Sequence, residues 1–200
     1  MLDRTALSGL VAFHGHRCWA STAGARAGEA ALKALGAASS GGKSLHAIVE
    51  IGDHHAAMCF ADGIQYTTHC TLGKGNIEKA YRGKLAVTLI DTASDRKVRV
   101  SYKPTLQPQI AASAFTQKRS AGVPPDEIPE AEQLEPVNLV LDARESDILT
   151  VGRVEAAGWR PVEEILRFVV CPGCGELVAE PYLRVVKDQK LCIDCSGYPA

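Results

Sequence analysis

The stretch Lys84–Lys103, KLAVTLIDTASDRKVRVSYK, holds two β-type runs, Lys84–Asp91 and Arg96–Lys103, on either side of Thr92–Asp95. Apolar and β-branched runs about a short polar turn predict a β-hairpin. Upstream, Leu45–Ile51 alternates in hydrophobicity and suits another strand, while Ala20–Leu35 repeats at helical spacing. Arg26, Glu29 and Lys33 fall on one face of that helix, and Ala20, Gly24, Ala27, Ala31 and Ala34 lie toward another. Small side chains let a neighbour approach closely, so the helix is expected to be central or at a subunit interface, with Gly36 as its C-cap. Since two-fold dimers are the commonest oligomers, the same face predicts a homodimer.

Further helices are expected at Ala61–His69 and at Leu106–Arg119, where Pro108 fits the first turn and Gly122, Pro124 and Pro125 end the run. Another starts from Asp126, to be bent or divided by Pro129 and Pro136, and Ser146 and Asp147 can cap one more turn. Arg160–Val170 reads as a strand entering Cys171. Helices and strand pairs without a regular βαβ alternation predict an α+β class, with helices packed on a mainly antiparallel sheet. The expected division is residues 1–165 as the core and 166–200 as a small metal-bound module.

At 200 residues, with 22 basic against 23 acidic residues, the chain has length for one ordinary core and a small appendage. Its balanced charge excludes the strongly basic footprint of a dedicated nucleic-acid binder and the composition of a disordered tail. No run reaches the ~18 apolar residues that a membrane span requires. The N-terminus, with Asp3 and Arg4 and then His14 and His16, lacks a signal-peptide core, so a cytoplasmic location is expected.

Seven cysteines in such a chain point to metal or redox chemistry rather than a disulfide framework. Cys171-Pro-Gly-Cys174, seventeen residues, then Cys192-Ile-Asp-Cys195 is the strongest chemical signal. Four thiolates in two Cys-x-x-Cys turns suit tetrahedral Zn²⁺, and a closed four-sulfur shell is structural rather than catalytic. The β-type residues of Glu176–Val186 and the polar turn Lys187–Gln189 complete a zinc ribbon or treble clef. So short a module draws folding energy from its metal. Residues 151–200 carry six Lys/Arg against seven Asp/Glu, which weighs against phosphate-backbone binding, and nucleic acid is not an expected partner.

A second constellation is Phe13-His14-Gly15-His16-Arg17-Cys18, with Cys59 far downstream. If Cys18 sits at the start of the small-faced helix, the dipole favours its thiolate as a nucleophile or metal ligand. Two alternate histidines on an extended segment point the same way. His16, Cys18 and Cys59 are expected to converge, with His14 and His55 as further candidates, on a second transition metal with an open coordination position. Asp53-His54-His55 and His69-Cys70 add weaker donors. The loop Thr71–Asn76 lacks the pattern of a Walker loop, but Lys74 and Asn76 are candidates to orient an anionic or carbonyl-bearing ligand.

Phe13–Cys18 with its helix, Cys59-Phe-Ala-Asp-Gly-Ile-Gln65 and Cys70-Thr-Leu-Gly-Lys-Gly-Asn-Ile77 together resemble the FmdE domain family of formylmethanofuran dehydrogenase. The resemblance spans roughly Phe13–Tyr102, and the appended four-cysteine module extends it. It implies an α+β core, commonly dimeric, followed by a treble-clef finger, with an association to one-carbon metabolism. Trp19 stands where a proline commonly follows the cysteine, and His54, His55 and His69 are additional. The expected function is a metal-binding accessory subunit linked to a molybdenum or tungsten dehydrogenase. The chain has no motif for a pterin, an iron–sulfur cluster or nicotinamide, so electron transfer falls to other subunits. The alternatives are a thiol-dependent enzyme using Cys18 or Cys59 with His16 as base, and a zinc-finger adaptor for protein or nucleic acid.

Overall fold

The computed structural model describes residues 3–39, 41–53, 55–161 and 167–198. Two helices, Arg4–His14 (α1) and Trp19–Leu35 (α2), precede strand Leu45–Val49 (β1) and helix His55–Thr68 (α3). Ile77–Lys79 (β2) then pairs parallel to β1, and the expected hairpin follows as Ala86–Asp91 (β3) and Arg96–Tyr102 (β4). Asp91 builds the turn, its Oδ2 accepting from Ser94 Oγ at 2.6 Å and its Oδ1 from the Ala93 amide at 3.1 Å. Gln107–Ala112 (α4), Ala114–Ser120 (α5), Glu130–Asp142 (α6) and the single turn Glu145–Ile148 (α7) lead to Leu149–Val151 (β5) and Glu155–Ala156 (β6), which both pair with β4. The sheet order is β2-β1-β3-β4-β5, antiparallel apart from β1–β2.

Alternation explains how the sheet is covered. Leu45, Ala47 and Val49 of β1, Val87 and Leu89 of β3, and Val98 and Val100 of β4 are buried in one core with Ala23, Ala27 and Ala31 of α2. The small face of α2 is used within the chain. A Cβ on Gly24 would lie 2.0 Å from the Phe60 carbonyl oxygen of α3, and one on Gly63 would lie 2.0 Å from the Ser21 oxygen. Backbone therefore meets backbone where α2 crosses α3, and the small face supplies no argument for a subunit interface. Arg26 also departs from its expected polar face. It is buried, and its guanidinium donates to the carbonyls of Val140, Leu141 and Ala143 at 2.7–2.9 Å, satisfying the C-terminal end of α6.

Several elements differ from expectation. α1 is an added helix: Asp3 caps it by accepting from the Thr5 and Ala6 amides, and Leu7 and Leu10 are buried. α3 begins six residues before Ala61. The expected Leu106–Arg119 helix breaks at Ser113, whose backbone is extended and whose Oγ accepts from the Thr116 amide, so it caps α5. Pro129 lies just before α6, and Pro136 stays inside it without dividing it. Burial of Val137 and Val140 just beyond Pro136 holds that helix despite one missing hydrogen bond.

The chain forms two compact units, Met1–Trp159 and Arg160–Ala200. In the second, Phe168–Val170 (β7) pairs with Leu177–Ala179 (β8), Leu183–Val186 (β9) pairs with Gln189–Cys192 (β10), and Ile193–Ser196 (α8) follows. The expected strand Arg160–Val170 is described only at its two ends, and residues 162–166 lie outside the described residues. Among the described residues no helix is long and apolar enough to cross a membrane.

Candidate metal centres

In the second unit the Sγ atoms of Cys171, Cys174, Cys192 and Cys195 all lie within 4.8 Å of one another. Cys174 and Cys192 sulfurs are 3.9 Å apart. A tetrahedron with ~2.3 Å zinc–sulfur bonds has edges of about 3.8 Å, so the set fits Zn²⁺. The Cys192 amide donates to Cys171 Sγ at 3.3 Å, and the Cys195 amide to Cys192 Sγ at 3.4 Å. Backbone amides, that of Cys192 foremost, hold Cys171 down at about 6, whereas the neighbouring sulfur of Cys192 pushes Cys195 up to about 12. Four sulfurs this close cannot all ionise by themselves, and a bound dication resolves that conflict.

The first unit gathers its donors differently. His14 is the last residue of α1, and Gly15 caps the helix at φ 94, a left-handed conformation that a side chain would strain. That sharp turn, rather than an extended segment, folds His16 back so that the two imidazoles lie tilted against each other with centroids 4.5 Å apart. Cys18 then occupies the N-cap position of α2 and is buried. Donor atoms of His14, His16 and Cys18 all lie within 4.8 Å of one another. Cys59, from α3, packs against Cys18 but does not join that three-residue group.

Asp62 completes the arrangement. It is one turn beyond Cys59 on α3, and its Oδ2 stands 2.6 Å from His14 Nδ1. With Nδ1 held, Nε2 of His14 is buried and, among the described residues, has no hydrogen-bond partner. The thiol of Cys59, and then His14 and His16, hold Cys18 well below the ordinary thiol range against the opposing effect of burial. Cys59 is raised in turn by the Cys18 sulfur, and His14 is raised chiefly by Cys18 and less by Asp62. A carboxylate on one imidazole nitrogen with the other left bare beside a thiolate is the usual outer-shell pattern of a histidine ligand.

Two cavities meet this cluster, and His55 and Cys59 line both. The larger, about 550 Å³, reaches His14 and is walled by Val49, Ile51, Met58 and Tyr81, with Asp62 and Glu78 as its carboxylates. The smaller, about 290 Å³, reaches His16 and Cys18 and is closed by Trp19, Phe115 and α5. Lys74 and Asn76 line neither. Lys74 Nζ donates to the Gly41 carbonyl at 2.9 Å. The Asn76 side chain is buried, accepting from the Thr71 amide and donating to the Leu45 carbonyl, both at 2.9 Å, so it ties the loop to β1. His69 Nδ1 meets Ser39 Oγ at 2.6 Å, and Cys70 is fully buried, its thiol raised by that burial. His54 lies outside the described residues.

Residues 13–150 match the family model FmdE, molybdenum formylmethanofuran dehydrogenase operon. The chain belongs to the FmdE family. Residues 165–198 match the prokaryotic dksA/traR C4-type zinc finger, and the four-sulfur cluster is that finger's structural zinc site. The crystal structure of a tungsten formylmethanofuran dehydrogenase FmdE-like protein from Syntrophus aciditrophicus superposes with a TM-score of 0.59 at 24% identity, covering 97% of this chain and 92% of that one. A protein of Archaeoglobus fulgidus described as a probable S-adenosyl-L-methionine-binding protein is 29% identical over 92% of this chain. The chain spans about half the length of that relative, 50%.

Proposed function

We propose that the FmdE unit binds a transition metal through His14, His16 and Cys18, and acts as a metal-handling accessory protein beside a molybdenum or tungsten dehydrogenase in one-carbon metabolism. The observation that carries the metal reading is the buried, unpartnered Nε2 of His14, with its Nδ1 clamped by Asp62 and two further donor atoms within 4.8 Å. Two imidazoles and one thiolate suit zinc or a similar borderline ion and leave a coordination position free. Such an ion supplies Lewis-acid polarisation when bound. The chain's own part is to fix the His14 tautomer through Asp62, to keep Cys18 ionised at the head of α2, and to place Cys59 at the junction of the two cavities. The family's operon description and the name of the solved neighbour support the dehydrogenase association.

Metal analysis of the full chain tests the reading. Two metals per chain are expected in the native protein and one in Cys18→Ala, the finger's zinc remaining. One metal in both, together with rapid alkylation of Cys18 at neutral pH, favours the thiol enzyme instead. A second reading concerns the larger cavity, where Asp62 and Glu78 beside the apolar Val49, Ile51 and Met58 suit a cationic ligand with an apolar body. The name of the Archaeoglobus relative makes S-adenosylmethionine the first probe, and calorimetric binding that Glu78→Gln weakens would support it.

A further inference from the structure

The two cavities that meet at Cys59 and His55 differ in electrical character. The larger holds the carboxylates of Asp62 and Glu78, and its Lys79 is paired with Asp53 at 2.7 Å. Among the described residues the smaller has no carboxylate in its wall, and its charged groups are one cation, Arg119, and the Cys18 thiolate at the opposite side. Thr116, Arg119 and Ser120 stand at i, i+3 and i+4 on α5, the spacing that puts three side chains on one helical face. Arg119 Nη1 donates to the Val123 carbonyl at 2.6 Å, which anchors the guanidinium, and among the described residues no carboxylate pairs with it. Thr116 Oγ1 accepts from Ser113 Oγ at 3.1 Å, which fixes the hydroxyl in the cavity wall. The apolar rings of Trp19 and Phe115, with Ala20 and Pro125, add apolar wall beside these donors.

We propose that this smaller cavity binds a small oxyanion, a carboxylate or a phosphate, on the α5 donors Thr116, Arg119 and Ser120, facing the His16–Cys18 pair, whose thiolate charge a bound cation would offset. Arg119 supplies planar charged donors and the two hydroxyls fix the orientation. At about 290 Å³ the space suits a compact anion and not a nucleotide. The inference takes its purpose from the metal reading, as a co-ligand delivered to the open coordination position, but the anion contacts belong to the chain alone.

Calorimetric titration of acetate, and separately of inorganic phosphate, into the full chain before and after cobalt loading tests the site. Arg119→Gln is expected to weaken the better anion by about tenfold or more, the worth of one charged hydrogen bond. Arg119→Lys, which keeps the charge, should recover part of that loss, and Thr116→Val should weaken binding by a smaller factor. Lys97→Gln, which removes a positive charge from β4, should leave it unchanged. Preference for acetate identifies the ligand as a carboxylate, and preference for phosphate as a phosphate. Equal affinities in native protein and Arg119→Gln for both anions, or no binding of either anion in either form, overturns the proposal. The metal reading fails separately, if native protein takes up one cobalt or zinc per chain while Arg119-dependent anion binding persists.

Discussion

Asp62 shows how much one side chain can decide about a site without being a ligand. Its 2.6 Å contact with His14 Nδ1 determines which imidazole nitrogen is left bare. Asp62→Asn is therefore expected to lower metal affinity at the core site by about 10–100-fold while leaving the finger's zinc untouched, as read by chelator competition. Glu50 is the corresponding case for stability. It is 1% exposed, accepts from Arg99 Nε at 2.6 Å and Nη2 at 2.8 Å, and has Arg82 at 3.4 Å. Arg99 in the first place holds its carboxyl below the ordinary value of 4.5. A carboxylate depressed in the folded state contributes stability that is full above the unfolded value and lost as pH falls through the folded one. Arg99→Leu is accordingly expected to cost roughly 3 kcal/mol at neutral pH in denaturant unfolding, a deficit that shrinks as pH falls below the ordinary carboxyl range and Glu50 takes up its proton.

At the scale of elements, the crossing of α2 and α3 is what brings Cys18 and Cys59 together. The approach depends on Gly24 and Gly63, where an added Cβ would meet backbone oxygens at 2.0 Å and cannot be relieved by a rotamer change. Gly63→Ala should force the helices apart, costing about 1–3 kcal/mol or more in chemical unfolding and weakening any ligand held between them. The small face of α2 was legible from its Ala/Gly spacing, but its partner was not, because the sequence pattern starts α3 at Ala61 and the helix itself starts at His55. Beginning the helix at His55 puts Cys59 and Asp62 three residues apart on one face, the pattern from which Asp62 could have been found. α1 carried an available signal too, in Asp3 as N-cap and Leu7, Leu10 and Val11 at helical spacing before Gly15. The hairpin was legible because its period and its turn agree, whereas β5 and β6 are short edge strands whose pairing is fixed by tertiary contacts with β4. Loop residues Lys74 and Asn76 look chemical in sequence, and in three dimensions they bond to backbone, a distinction that spacing does not carry.

Over the whole molecule, the two units are stabilised by different physics, and this gives the last prediction. Residues Met1–Trp159 enclose a continuous apolar core that runs from α2 through the sheet to Ile110, Val140 and Ile148. Its members are buried by one another. The described residues of the second unit have little of this kind, for Phe168, Val170, Leu177, Tyr182 and Val185 are all more than half exposed. The two hairpins of that unit have two ladders with no shared sheet, and isolated two-stranded ribbons are marginal in water. What joins them is the group of four sulfurs, whose mutual repulsion without an ion is visible in the raised thiol of Cys195. Zinc binding is then folding energy for the second unit alone. Adding a strong chelator near neutral pH, or substituting Cys192→Ser, should make residues beyond about Phe168 susceptible to limited proteolysis and collapse their amide dispersion. The β3–β4 amides of the first unit should keep their hydrogen-exchange protection. Loss of protection in both units together on chelation would show that the core also depends on metal, and unchanged proteolysis after verified zinc removal would show that the finger does not.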